Sequence, residues 1–454
     1  MIHWIDKKFK LKEHHTDIKT EFLAGITVFI TMVYALATVP NMLEATGVDK
    51  HVLMTVMVLL IAAATLAMAF YTNRPFALAP GLSSAGIVAA MISADNVPVK
   101  IAGGIVFWSG LLFLAITFLG LREAIVRAIP ASLKYAVSAG IGIFIVLIGA
   151  RGAGIITADE AKNSLVFGSL GSPEVIAAVF GFVILLILRA KRVPGDMILS
   201  ILAATIAGIP LGVTKLPEQI ISMPAPVGEQ LFQIDIFGAL QVLYLPFLLA
   251  LFVPDFFATV GTILGVGARA GYLDENGNFD SIDQCFQVDA AATSLGALFG
   301  MPGMTTYLES SAGIEAGGKT GLTVVFTSIC FLLALFFAPV ALIIPSAATA
   351  PVLVYIGISM LEAMRHINYD DITESMPAFM CVVFTVLAGK YRKRYLHRHS
   401  DVSGYENGGR KNKRDTSVHV SLRCGQCALF LYPVLTKNIF SVFCGTLYKS
   451  IQTV

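Results

Sequence analysis

A carboxylate stands inside an apolar stretch at Glu309, in the run TTYLESSAG (305–313). Such a group costs about 2.5–3.5 kcal/mol at the centre of a membrane helix, so by default it marks function. A carboxylate accepts two N–H groups side by side, and its charge strengthens both bonds. A helix starting near Ser310 would aim its free N–H groups and its positive dipole end at the same place. The competing reading is a Glu that only caps that helix. A second carboxylate, Asp255, lies in FVPDFFATVGT (252–262). No other carboxylate falls well inside a predicted span, and no histidine does. These two are therefore the natural proton carriers of any proton-coupled process. Asp255 also admits a structural reading, as a tie to a backbone N–H or a hydroxyl. Thr305, Thr306, Ser310 and Ser311 surround Glu309 with hydroxyls. Packing is their alternative role, since small residues let membrane helices approach closely.

Ser-Ser-Ala-Gly occurs twice, in FALAPGLSSAG (76–86) and in TTYLESSAG. Pro80 and Gly81 break the first stretch, and Pro302 and Gly303 precede the second. A backbone broken at membrane depth survives only where it is buried in protein or lines a cavity. Two such breaks in matching places of two halves point to a transporter's binding site.

The elements that position these residues follow from composition. Of 454 residues, 56% are hydrophobic and 14% charged, with mean hydropathy +0.77. A soluble chain carries about 25% charged residues. This is the signature of an all-α polytopic membrane protein. A net charge of +2 implies no nucleic-acid partner. Cys424 and Cys427 form a CxxC, but no second pair accompanies it, so neither a metal nor a cofactor is expected. The acidic loop 271–283 (GYLDENGNFDSID) lacks the spacing and terminal Glu of a calcium loop and reads as solvated.

Predicted spans cover 21–39, 52–71, 76–93, 99–119, 131–149, 173–190 and 197–214, then 240–267, 288–301, 304–316, 321–339, 340–363 and 375–389. The repeated word falls in the third and the tenth. An odd number of spans per half inverts the second half relative to the first. The expected organisation is a cytoplasmic N-terminus (1–20), a first repeat (21–214), a linker (215–238) and an incomplete second repeat (239–389). The first apolar run is read as a retained span, not a removed signal peptide. Arg74, Arg122, Arg127, Lys134, Arg189, Lys191 and Arg192 crowd one set of loops and favour the N-terminus inside.

Composition changes abruptly after Gly389. The run KYRKRYLHR (390–398) falls on the outer side by span count, against the positive-inside pattern. Residues 425–447 are apolar but carry Lys437 and Pro433, a poor span. Two readings stand for 390–454: a genuine basic tail, or a frameshift near codon 389 or 390. Sequencing the gene in independent isolates separates them.

Several stretches resemble one family. FLAGITVFITMVYAL (22–36), GLREAIVRAIPASLKYAVSAGIGIFIVLIG (120–149), GTILGVGARAGYLDENG (261–277), TTYLESSAGIEAGGKTGLT (305–323) and PVLVYIGISMLEAM (351–364) are similar to nucleobase:cation symporter-2 proteins, the xanthine/uracil permease superfamily. The nearest branch is the purine permeases for hypoxanthine, guanine and adenine. The resemblance covers roughly 20–389 and implies fourteen segments in an inverted 7+7 repeat, divided into core and gate domains. It implies a short strand and a half-helix in segments 3 and 10, with the substrate between them. The last segment would then be lost or altered here. It further implies a nucleobase held by Glu309, proton symport (or another cation) driving import, and a multi-pass protein of the plasma membrane; a homodimer is left open.

Two positions depart from the family pattern. D-x-F-D-T-x-G-T becomes a stretch in which Asp255 matches the first Asp and Ala258 replaces the second. P-G-x-G-L-N becomes Pro80-Gly81-Leu82-Ser83-Ser84-Ala85, with Ala85 in place of Asn. Asp255 shares a helical face with Ala258, and Ser83 and Ser84 flank Ala85, so these residues are the expected compensation. Phe76 is a candidate to stack on a flat base, and Gly140, Gly142 and Gly149 read as packing residues. An anion permease of the same architecture is the alternative, which a fixed carboxylate at Glu309 disfavours. A membrane sensor or intramembrane enzyme is a more distant one.

Overall fold

The structure is a computed structural model that describes residues 2–93, 95–121, 131–159, 164–217, 219–228, 233–273 and 279–387. The tail 390–454, with both its readings, lies outside the described residues, as does the middle of the acidic loop. Among the described residues, seven helices are long and apolar enough to cross a membrane, and shorter apolar helices complete the bundle.

A short helix α1 (Ile2–Phe9) precedes the first span. That span opens at Asp17, whose carboxylate accepts the Thr20 N–H at 2.8 Å and caps α2 (Ile18–Met32). It is interrupted at Val33 and Tyr34 and resumes as α3 (Ala35–Met42), which holds Pro40. A proline there removes one backbone donor and loosens the preceding turn. Helix α4 (Lys50–Thr72) follows and stops at Asn73, in the left-handed conformation.

The third segment breaks where Pro80 and Gly81 predict, into strand β1 (Leu78–Pro80) and helix α5 (Leu82–Ser93). Then come α6 (Val99–Phe118), α7 (Ala131–Gly152), a hairpin of β2 (Ile156–Asp159) and β3 (Ser164–Phe167), α8 (Pro173–Ala190) and α9 (Asp196–Gly208). The hairpin has no counterpart in the sequence expectation. The second half runs α10 (Leu245–Arg269), α11 (Ile282–Leu298), β4 (Met304–Thr306), α12 (Ser310–Glu315), α13 (Gly321–Ala334), α14 (Ala338–Leu342), α15 (Ser346–Leu361) and α16 (Ile372–Leu387).

Strands β1 and β4 pair antiparallel, with Leu78 opposite Thr306, Ala79 opposite Thr305 and Pro80 opposite Met304. Gly81 N–H donates to the Gly303 carbonyl at 2.8 Å, and Tyr307 N–H to the Ala77 carbonyl at 2.9 Å, extending the ladder at both ends. Each strand is also tied to a helix of its own half. Thr65 Oγ1 on α4 accepts from Leu78 N–H at 3.1 Å, and Thr293 Oγ1 on α11 donates to the Met304 carbonyl at 2.8 Å. These bonds satisfy backbone that bilayer hydrocarbon would leave unpaired.

Packing follows the inverted repeat. Helix α6 lies against α10 and α11, and its counterpart α13 lies against α2 and α4. Helix α7 packs on α15 and α16, as α15 packs on α7 and α8. Helices α2 to α6 and α10 to α13, with the crossed strands, form the core. Helices α7, α8, α9, α15 and α16 form the gate. The two glycines Gly142 and Gly357 face one another, and a Cβ on either would strike the other's carbonyl, so α7 and α15 meet backbone to backbone. Stretches of the linker lie across one end of the core. Ala225 N–H donates to Thr55 Oγ1, Asp235 N–H to the Lys100 carbonyl, and Trp108 Nε1 to the Ile236 carbonyl.

Candidate substrate site

Glu309 is the residue before the first turn of α12, yet its side chain makes no cap to that helix. Its Oε1 instead accepts the Tyr34 hydroxyl at 2.8 Å. The capping role weighed for Glu309 is thus not what its carboxylate does. Tyr34 is 2% exposed and sits where the first span is interrupted between α2 and α3. The break in one segment therefore holds the carboxylate of another. Helix α12 has only six residues, because Gly317, at φ 102°, and Gly318 end it. So short a helix adds little dipole.

Several other predicted site residues serve the crossing itself. Ser84 Oγ accepts the Gly303 N–H at 2.7 Å, and Ser310 Oγ accepts the Ala77 N–H at 3.0 Å. The Tyr307 hydroxyl donates to the Pro80 carbonyl at 2.6 Å. Each of these bonds joins one half to the other. Ser83 is partly exposed on α5, Ala85 is fully buried, and Ala258 is partly exposed on α10. Phe76, a candidate to stack on a flat ligand, is fully buried against Tyr272 and Phe279 and cannot reach one.

Asp255 lies in a second cluster, behind β4. It is 5% exposed, and a Cβ added at Gly303 would sit 3.4 Å from each of its carboxylate oxygens. Its acidic neighbour is Asp289. Asp289 is fully buried and accepts three bonds: Thr306 N–H at 2.6 Å, Thr306 Oγ1 at 2.9 Å and Thr259 Oγ1 at 2.9 Å. Thr306, expected to face the ligand, is thus bound to Asp289. Thr305 and Thr259 hydroxyls meet at 3.1 Å.

Asp289 corrects the expectation that Asp255 and Glu309 are the only carboxylates inside spans. The predicted span began at 288, but α11 begins at Ile282, which puts Asp289 in mid-helix. Its first two turns (IDQCFQV) are polar, so a hydropathy window passes over them. The usable signal was the small-residue run after Asp289, which continues a helix in both directions. Glu21 and Asp196 are also buried. Glu21 accepts from Thr323 N–H and Lys319 N–H, both at 3.0 Å, and ties the first span to the start of α13.

The sequence pattern of the Permease family (Xan_ur_permease) matches residues 19–390. The chain belongs to the xanthine/uracil permease family. Adenine permease AdeQ of Escherichia coli is 32% identical over 381 residues, covering 84% of this chain and 85% of that one. Guanine/hypoxanthine permease PbuO of Bacillus subtilis is 34% identical over 387 residues, covering 83% and 88%. Among solved structures, the transmembrane domain of the cyanobacterial bicarbonate transporter BicA aligns with TM-score 0.62 over 82% of this chain and 96% of that one. Its 18% identity makes that a likeness of fold alone. The inverted 7+7 architecture with crossed short strands is the fold of this permease, and the described residues supply seven segments of the first repeat and six of the second.

Proposed function

We propose that this permease imports a nucleobase, most specifically a purine such as hypoxanthine, guanine or adenine, by proton symport across the plasma membrane, with its N-terminus in the cytoplasm. The observation that carries the reading is Glu309, a carboxylate at the mouth of the crossed strands, oriented by Tyr34 and free of any capping bond. A purine presents ring N–H and exocyclic donors that such a carboxylate accepts in pairs, with charge strengthening both bonds. The likeness to AdeQ, an adenine permease, and PbuO, a guanine/hypoxanthine permease, supports the same substrate class. Movement of the core past the gate gives alternating access, with the site carried by the core. Glu309 and Asp255 are the proposed proton carriers, joined by Asp289, which stands beside Asp255.

An anion permease is the second reading, favoured by the likeness of fold to BicA. Glu309 opposes it, because a fixed carboxylate repels an anion.

The test is binding to purified protein in detergent. A ligand that binds only the folded state stabilises it by RT ln(1 + [L]/Kd), about 2.7 kcal/mol at a hundred times Kd. Hypoxanthine, guanine or adenine should raise the melting temperature, and Glu309→Gln should abolish the rise. Folded wild-type protein that responds to none of hypoxanthine, guanine, adenine, xanthine and uracil overturns the reading. Uptake that persists after the proton gradient is collapsed, but needs sodium, would replace the proton as the coupling ion.

A further inference from the structure

The turn that joins α8 to α9 carries Arg189, Lys191 and Arg192. Arg189 is engaged within the gate. Its Nε donates to the Tyr355 hydroxyl on α15 at 2.8 Å, and its Nη1 to Asp196 Oδ2 at the start of α9 at 3.1 Å. Asp196 is fixed in turn, since its other oxygen accepts the Met197 N–H at 2.9 Å. This clasp ties the two ends of the turn together. Lys191 and Arg192 are both exposed, and neither forms an ion pair among the described residues.

Arg192 also holds an unusual backbone. Its N–H donates to the Arg189 carbonyl, and the Val193 N–H to the Leu188 carbonyl, both at 3.0 Å. This pair of bonds closes a helix through one left-handed residue, a place that glycine usually takes because a Cβ is crowded there. Here the place is held by Arg192, at φ 54°. Strain of this kind is retained where surrounding structure or function requires it.

The flanking helices fix the depth of these cations. Helix α8 has 18 residues. At ~1.5 Å per residue it is about 27 Å long, close to the ~30 Å of bilayer hydrocarbon. Ile176, Val179, Phe180, Val183, Leu186 and Ile187 are exposed and recur three or four apart, the face that α8 turns to lipid. Lys191 follows Ile187 by four and continues that row past the end of the helix. Across the turn, Leu199, Leu202 and Ile206 of α9 are exposed in the same way. Two lipid-facing rows thus flank two free cations, at the level where hydrocarbon gives way to headgroups. The same turn abuts the core, since a Cβ at Gly195 would lie 2.6 Å from Ile30 Cγ2.

We propose that Lys191 and Arg192 bind the headgroup phosphate of an anionic phospholipid, whose acyl chains lie along α8 and α9 where the gate meets the first span. A guanidinium fork and an ammonium both give charge-assisted bonds to phosphate. Two cations without acidic partners favour a headgroup of net negative charge over a zwitterionic one. The competing role is to complement the C-terminal end of the α8 dipole. That role needs no lipid and no arginine in a left-handed place.

The experiment follows the melting temperature of the full chain in detergent, titrated with phosphatidylglycerol or with phosphatidylcholine. Wild type should respond to phosphatidylglycerol at the lower concentration. Lys191→Gln and Arg192→Gln should each weaken its apparent Kd about fivefold, which is the factor for the ~1 kcal/mol of one cation at an anionic membrane surface. Arg192→Gly is the sharper variant. It relieves the left-handed strain, so without added lipid it should melt no lower than wild type, yet it should lose the same fivefold. Lys215→Gln, at an exposed lysine beyond the far end of α9, should leave the Kd unchanged. An equal response of wild type to both lipids overturns the proposal. So does a phosphatidylglycerol Kd that is unmoved in the Lys191 and Arg192 variants, or an equal loss in Lys215→Gln, which would mean surface charge without a site. No base enters this measurement, so its outcome stands apart from the purine test.

Discussion

Leu82 and Glu309 occupy the same place in the two halves. Each directly precedes Ser-Ser-Ala-Gly, where a three-residue strand gives way to a helix. Leu82 is 8% exposed and joins the apolar core, whereas Glu309 meets Tyr34. The helices behind the strands repeat the contrast. Thr65 and Thr293 each tie the strand of their own half, and four residues before them stand Ile61 and Asp289, both fully buried. The two-fold plan therefore supplies geometry twice and chemistry once. At these matched places the first half is apolar and the second carries the acids, while buried acids of the first half such as Glu21 and Asp196 lie elsewhere. Doubling the acids would add buried charges that cost several kcal/mol each without matched partners.

Five substitutions probe that contrast, four of them as two matched pairs. Asp289→Ala strands the Thr306 N–H and two hydroxyls, and should destabilise the folded protein by about 3–5 kcal/mol. Ile61→Val at the matching place should cost about 0.5–1.5 kcal/mol. Chemical denaturation in detergent measures both, and equal losses would break the comparison. Gly303→Ala brings a Cβ to 2.8 Å from Ser84 Oγ, while Gly81→Ala brings one to 3.2 Å from Thr305 Cγ2. The first should cost about 1–3 kcal/mol, as overpacking does, and the second under about 1 kcal/mol. Melting temperatures of the pair rank them, and a Gly81 variant as impaired as the Gly303 one would mean the crossing is equally tight on both sides. Tyr34→Phe has the smallest expected effect. It removes the donor that orients Glu309 and should weaken base binding by about tenfold or less, near the 1.4 kcal/mol that a factor of ten represents. Calorimetry checks it, and tighter binding in Tyr34→Phe would show that the tyrosine competes with the base for the carboxylate.

Much of this architecture was legible because Pro and Gly act on backbone directly. Pro80-Gly81 and Pro302-Gly303 marked both breaks, and the repeated word tied them to one plan. Glu309 stood out because a carboxylate in apolar sequence is costly. Asp289 did not stand out, since polar turns around it hid the helix that carries it. The partners were illegible for a different reason. Tyr34 lies 275 residues from Glu309, and Tyr355 lies 166 from Arg189. No local pattern encodes such a meeting. Hydropathy also could not show that Ser84 and Ser310 spend their oxygens on the opposite half. A hydroxyl beside a break reads alike whether it faces a ligand or a neighbouring strand.

The pairing of β1 with β4 also sets a timetable for biogenesis. The Pro80 carbonyl and the Tyr307 hydroxyl that donates to it are 227 residues apart. At about 5–20 residues per second of synthesis, roughly ten to fifty seconds separate the emergence of one from the other. Through that interval the first strand has Thr65 for company but no ladder, and its open edge must be sheltered by α4 or by the insertion machinery. The crossing of the two strands is consequently a late product of assembly, closed only when the second repeat enters the bilayer and threads its strand against the waiting one.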